Sequence, residues 1–378
     1  MVVNFNLLAN TFAIKHFCFF SVVMIIWYGF DAIMFYKLKV IMNAVSITFF
    51  IVSLILPAGS SGLVDTVTSS QSPGVESGEA ILALEYSEER SVEKAAENPC
   101  IRWYERKNDT KLNGVALVIH GLNSRPEKME SIIARMNDLG IDCLNLSLRG
   151  HGENYTHLKN TTSADARMET FKSVTYPLWK TEAYQAYQRV ERISKLYATP
   201  LFFVGFSMGG LLGVDLLSSH PGVKFDKMVL FAPAIKMHKR NSLLKILSPF
   251  PRIVIPSIAD KSYLTNDGTS IAAYNALFEM YAHLENNLDP NKINIPTIVF
   301  IDKHDELISF SGLQNMIQDQ NLDQWKIHPV KKDKTATKIK MHHLIIDEAS
   351  VGNYMWQEIV DVTITHFLGR QSAGTIEE

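Results

Sequence analysis

The sequence predicts an α/β fold: a mostly parallel sheet with helices on both faces and a helical cap inserted late in the chain. Three observations carry this. Apolar, strand-like runs of four to eight residues alternate with stretches of helical spacing from residue 115 onward. Strands apolar on both faces belong to parallel sheets covered by two helical layers. Polar and glycine residues stand at the C-terminal ends of these runs, where open α/β sheets gather their chemistry. The alternation breaks once, at 234–292, in a stretch that holds Pro249, Pro251 and Pro256.

The elements follow in order. Residues 115–119 are the first apolar run and end at His120-Gly121. Residues 126–139 place Met129, Ile132, Ile133, Met136 and Leu139 at helical spacing and close on Gly140. A second strand over 141–148 ends at Arg149-Gly150-His151-Gly152, and 178–197 reads as a long helix. The strand at 200–204 runs into Gly205-Phe206-Ser207-Met208-Gly209, and 210–217 starts the next helix. Further strands are expected at 228–231, 297–301 and 325–330, with a closing helix over 354–367. Within 234–292, Tyr274, Leu277, Phe278, Tyr281 and Leu284 follow i, i+3, i+4, i+7 spacing. That interval is expected to lie over the strand ends as a cap.

Composition narrows the class. A formal net charge of −2 over 378 residues offers no electrostatic footprint for nucleic acid. Three cysteines, Cys18, Cys100 and Cys143, are too few for a disulfide scaffold; a Cys100–Cys143 bridge stays open. Residues 1–62 read as a hydrophobic leader. The apolar stretch 17–30 is short for a membrane span and is stopped by Asp31; Lys37, Lys39, Met42 and the apolar run 44–56 follow. A basic flank, a short apolar core and the small residues at 57–62 are the parts of a signal peptide starting at Met42 and cut after Ser60. An uncleaved membrane anchor is the alternative. Export, to a periplasm or the exterior, or membrane attachment through the leader is the expectation. Residues 63–98 read as a polar linker.

A serine between glycines at a strand-to-helix turn is the nucleophile-elbow arrangement. The strained turn lifts Oγ clear of the sheet, and a Cβ on either flanking residue is expected to crowd it. A serine hydroxyl needs an imidazole to take its proton and a carboxylate to orient that imidazole. After Ser207 the acid is assigned to Asp305, just past a strand end, with Asp302 (a turn or capping residue) and Glu306 as rivals. The base is His342 or His343; His343 is preferred because Leu344, Ile345 and Ile346 anchor it directly. Oxyanion donors are assigned to the backbone N–H groups of Leu122, in the loop after the first strand, and Met208. His120 is expected to fix that loop, and His238, His283, His328 and His366 to be surface or structural. An adjacent histidine pair without a second ligand pair at metal spacing gives no metal site, and no cofactor is expected.

Ile119-His120-Gly121, Arg149-Gly150-His151-Gly152, Gly205-Phe206-Ser207-Met208-Gly209-Gly210, Asp305 and His343 together resemble the α/β-hydrolase superfamily. They are most similar to its monoacylglycerol lipase, lysophospholipase and carboxylesterase branch, the serine aminopeptidase S33-like group. The resemblance implies the α/β-hydrolase fold over a domain at 99–370. It implies a serine hydrolase that cleaves a small acyl ester or lipid, such as a monoacylglycerol or lysophospholipid, through an acyl-enzyme. An aminopeptidase or amidase on the same fold, or an inactive binding protein, is the alternative. Two features depart from the group: Glu153-Asn154 follows the Arg-Gly-His-Gly motif, and a lysine-rich loop (Lys331, Lys332, Lys334, Lys338, Lys340) precedes the histidines.

Overall fold

The computed structural model describes residues 100–107, 110–333 and 337–369. The leader at 1–62 with its start at Met42, the linker at 63–98, and Lys334 of the lysine-rich loop lie outside the described residues. Among the described residues, no helix is long and apolar enough to cross a membrane.

Seven strands form one sheet: β1 (Cys100–Tyr104), β2 (Gly114–Ile119), β3 (Ile141–Ser147), β4 (Leu201–Phe206), β5 (Lys227–Phe231), β8 (Thr297–Asp302) and β9 (Trp325–Val330). A hairpin of β6 (Val254–Pro256) and β7 (Gly268–Ser270) stands apart from it. The order in the sheet is β1-β3-β2-β4-β5-β8-β9, and every pairing is parallel except β1 against β3. The inner strands β2, β4 and β8 are buried at every residue, as strands covered on both faces must be. Pro329 falls in β9, an edge strand, where its missing N–H costs no ladder bond.

Helices cover the sheet. They are α1 (Glu130–Asp138), α2 (Ser163–Phe171), α3 (Tyr176–Tyr197), α4 (Met208–Ser219), α5 (Ile271–Asn287), α6 (Pro290–Ile293), α7 (Phe310–Asp319), α8 (Glu348–Val351) and α9 (Asn353–Leu368). Local chemistry sets their ends. The Thr175 side chain accepts the Leu178 N–H at the start of α3, Pro177 occupies the first turn, and Ala198 closes the helix at φ +48°. The amphipathic helix of the 234–292 interval is α5. It buries Ala273, Ala276, Leu277, Met280 and Leu284 and packs on α4 and α3, while Tyr274 and Tyr281 stay half-buried. The part of the interval that reaches the loop after β2 is 263–268, described below.

Cys100 and Cys143 are free thiols. Across the antiparallel ladder Cys100 faces Ser147 and Cys143 faces Tyr104, at opposite ends of β1. Four strand residues separate them, about 13 Å, beyond the reach of a disulfide.

Candidate active site

Because the inner strands run parallel, the loops after β2, β4 and β8 open on the same side of the sheet. Ser207 sits between β4 and α4 at φ +51°, ψ −113°, a backbone state that a non-glycine residue holds only when its surroundings enforce it. They do. Its N–H donates to the Phe231 carbonyl at 2.8 Å, and its own carbonyl accepts from Ala234 at 2.9 Å and Leu211 at 3.1 Å. The glycines beside it also set how closely helix and strand approach. A Cβ on Gly205 would meet the Gly210 backbone at 2.7 Å, and one on Gly209 would meet the carbonyl oxygens of Ile119 and His120. Their smallness lets α4 lie against β4 and β2.

Three side chains converge at the turn. Asp305 is buried, and its Oδ1 accepts from the N–H groups of Leu307 and Ile308, both at 2.8 Å. His343 Nδ1 donates to Asp305 Oδ2 at 2.8 Å, which leaves Nε2 as the acceptor for the Ser207 hydroxyl at 2.8 Å. The neighbouring candidates are engaged elsewhere. His342 Nδ1 lies 2.8 Å from Asp302 Oδ2, and Asp302 Oδ1 accepts the His304 N–H at 2.8 Å. Asp302 is thus a turn residue, as expected, and also a histidine partner, which was not. The Glu306 carboxylate accepts the backbone N–H groups of His342 and His343. His238 holds the Asp305 carbonyl at 3.1 Å, so it is tied to the site rather than idle on the surface. His283, His328 and His366 also have partners: Asp215, Glu358 and the Met228 carbonyl.

The loop after β2 is pinned by two buried imidazoles. His120 Nδ1 donates to the Gly121 carbonyl at 2.8 Å, and its Nε2 accepts the Leu148 N–H at 3.1 Å. His151 Nε2 accepts the Asn123 N–H at 3.0 Å, and its Nδ1 donates to the Leu148 carbonyl at 3.2 Å. Burial pushes the His120 ring down to about 4 and lowers His151 likewise, so both are neutral at pH 7 and free to accept. His151 has no role assigned from sequence beyond its place in the Arg-Gly-His-Gly motif. The Asn123 amide donates to the Asn266 and Gly268 carbonyls, and Thr265 N–H donates back to the Asn123 carbonyl, tying 263–268 to the loop. Among the described residues, no bond takes up the N–H of Leu122 or Met208.

Glu182 of α3 anchors the loop after β3. It is buried and accepts the Arg149 N–H at 2.8 Å and the Asn154 amide at 2.9 Å. Glu153-Asn154 thus belongs to a fixed turn. Burial raises the Glu182 carboxyl from 4.5 to about 7, against those two hydrogen bonds. A carboxyl with a raised folded value stabilises the native state in its protonated form: fully below pH 4.5, and no longer above about pH 7. The difference in unfolding free energy between the wild type and Glu182→Gln is expected to shift by on the order of 3 kcal/mol across that window. Urea unfolding from pH 4.5 to 8 measures it; a pH-independent difference contradicts the expectation.

Residues 110–276 match the model of the serine aminopeptidase S33 family. The matched segment holds Leu122, Ser207 and Met208 and ends before Asp305 and His343. No curated protein aligns with the chain in sequence. Among solved structures, a soluble variant of monoglyceride lipase from Saccharomyces cerevisiae superposes with a TM-score of 0.56 at 16% identity, over 70% of this chain and 91% of that one. A structure of LipS and LipT, two metagenome-derived lipolytic enzymes, superposes with a TM-score of 0.54 at 17% identity, over 71% and 97%. At these identities the likeness is one of fold. Sheet order, strand-to-helix elbow and matched segment agree, and the chain is an α/β-hydrolase-fold protein with a serine aminopeptidase S33 family match over 110–276.

Proposed function

We propose that the protein is a serine hydrolase that cleaves carboxylic esters through an acyl-enzyme. The observation that carries this reading is the unbroken chain of 2.8 Å hydrogen bonds from Ser207 through His343 to Asp305 at the elbow. Ser207 Oγ attacks the ester carbonyl while His343 Nε2 takes its proton, and Asp305 holds the imidazolium that forms. The carbonyl oxygen becomes an oxyanion facing the N–H groups of Leu122 and Met208. Collapse expels the alcohol, protonated by His343, and leaves Ser207 acylated. Water, deprotonated by His343, then releases the acid and restores the serine.

The substrate class is a small acyl ester, such as a monoacylglycerol or lysophospholipid. The names of the two superposed proteins, a monoglyceride lipase and lipolytic enzymes, support it. The family description supports a second reading, removal of an N-terminal residue from a peptide. That reaction needs acidic groups to hold a free amine. The cap carboxylates are Asp260, Asp267, Glu279 and Glu285, spread along the chain without a tight grouping; Asp260 is taken up by the Ser262 N–H and hydroxyl, and Glu285 by Lys236. The ester reading is preferred. Export, or membrane attachment, through residues 1–62 is proposed with it; N-terminal sequencing of the native protein beginning near Leu63 would support cleavage.

A fluorophosphonate probe is expected to label the wild type and to leave Ser207→Ala unlabelled. Equal labelling of the two, or none of either, overturns the enzyme reading. A panel of esters of increasing acyl length, run beside aminoacyl amides, separates the two substrate classes.

A further inference from the structure

The two adjacent histidines between β9 and α8 are held by one side chain. Glu306 Oε1 accepts the His342 N–H at 3.0 Å, and Oε2 accepts the His343 N–H at 3.1 Å. Glu306 follows Asp305 directly, so one dipeptide grips both the ring and the backbone of His343. His342 is turned onto Asp302 instead. Three carboxylates, from Asp302, Asp305 and Glu306, therefore gather behind the imidazole that has to gain a proton. Lys332 lies two residues past β9, is 7% exposed, and donates to the Met341 carbonyl at 2.5 Å. Its charged neighbours are those three carboxylates and Asp347. Burial pulls this ammonium down to about 8, the carboxylates opposing its desolvation without cancelling it, so it is still charged where an imidazole ordinarily titrates.

We propose that Glu306 is a positioning residue for His343, acting through the backbone, and that Lys332 balances the negative charge behind the imidazole. The proposal rests on reading His343 as the base. Two charge-assisted hydrogen bonds from one planar group fix two consecutive peptide N–H directions, and with them the path of the chain into the ring. A displacement of Nε2 by about 1 Å is enough to cost on the order of 10²-fold in rate. Charge acts on the same atom. A lost anion lowers an imidazole's affinity for its proton, and a lost cation raises it.

The groups facing His343 are few. Asp305 and Glu306 come from the loop after β8, and Ser207 with the Phe206 ring at 5.2 Å from the elbow. Asp302 and His304 reach it through His342, whose ring lies 5.6 Å from that of His304. Lys332 and Asp347 stand on the segment after β9, and His238 holds the Asp305 carbonyl.

The test is a ¹⁵N NMR titration of the histidine imidazoles beside the pH dependence of kcat/KM, in the wild type, Glu306→Gln and Lys332→Met. The His343 midpoint is expected to fall in Glu306→Gln and to rise in Lys332→Met, the acid limb of kcat/KM moving with it. In Glu306→Gln, one amide N–H₂ faces a backbone N–H, so kcat drops roughly tenfold or more while KM stays within about twofold. A purely structural role would lower the active fraction without moving either midpoint. Should Lys332→Met fail to fold, Lys332→Gln carries the same expectation. Unmoved midpoints, or shifts of the same sign in both variants, overturn the proposal. NMR reads His343 without turnover: opposite shifts in a wild type that hydrolyses no ester overturn the functional reading alone.

Discussion

His343→Ala is expected to lower kcat/KM on a short-chain ester roughly 10⁴-fold, and His342→Ala less than about tenfold. The two residues are neighbours in sequence and carry the same side chain, so only their surroundings separate them. His343 Nε2 lies 2.8 Å from Ser207 Oγ with its other nitrogen on Asp305. His342 is turned onto Asp302 and makes no bond to the serine. Its removal leaves Asp302 with the His304 N–H and the nearby Lys332 charge, a modest perturbation behind the site. Steady-state kinetics of both variants, with circular dichroism to establish folding, measures the contrast. Comparable losses in the two would show that the Ser207–His343 bond is not the one used.

Gly209→Ala is expected to destabilise the fold by roughly 3 kcal/mol or more, with loss of fluorophosphonate labelling in the folded fraction. The added methyl would run into the carbonyl oxygens of Ile119 and His120, at 2.6 Å for His120. These are backbone atoms of β2 and the loop after it, and they have no rotamer by which to withdraw. Relief would have to come from α4 moving off the sheet, and Ser207 moves with α4. Gly222 supplies the control, because a Cβ there has nothing nearer than 3.8 Å. Gly222→Ala is expected to stay within about 0.5 kcal/mol of the wild type. Urea unfolding of the two variants gives the comparison, and an unperturbed Gly209→Ala would mean that helix and strand are less closely apposed than the structure places them.

Much of this fold is legible in the chain because parallel strands announce themselves locally. β2 and β4 are apolar throughout, and β5 and β8 hold four-residue apolar runs at 228–231 and 298–301, whereas β9, at the sheet edge, interleaves Lys326 and His328 with its apolar residues. β1 carries no such signal. Cys100–Tyr104 mixes Arg102 with aromatics, is half-buried along most of its length, and pairs antiparallel at the sheet edge. Helix α2 is equally quiet, with Ala166 and Phe171 its buried apolar side chains, whereas α7 does mark a face, placing Phe310, Leu313, Met316 and Ile317 at helical spacing. The cap helix α5 was visible from its spacing, but its partner was not: an apolar stripe says that something is covered, not whether by substrate or by α4.

By itself the sequence determined the alternation of strand and helix, the elbow around Ser207, and the order serine, acid, histidine along the chain. Each is a matter of period, turn chemistry or succession, which neighbouring residues specify. Only the tertiary structure decided which histidine faces the serine. Adjacent residues project in different directions, and the choice depends on Asp302, Asp305 and Glu306, some forty residues upstream, each taking a different bond from the same dipeptide. It also decided the purpose of the glycines, since the carbonyls that exclude a side chain at Gly209 lie on another strand. Partners distant in the chain meet only when the sheet is assembled, and so the histidine's direction is a property of the fold.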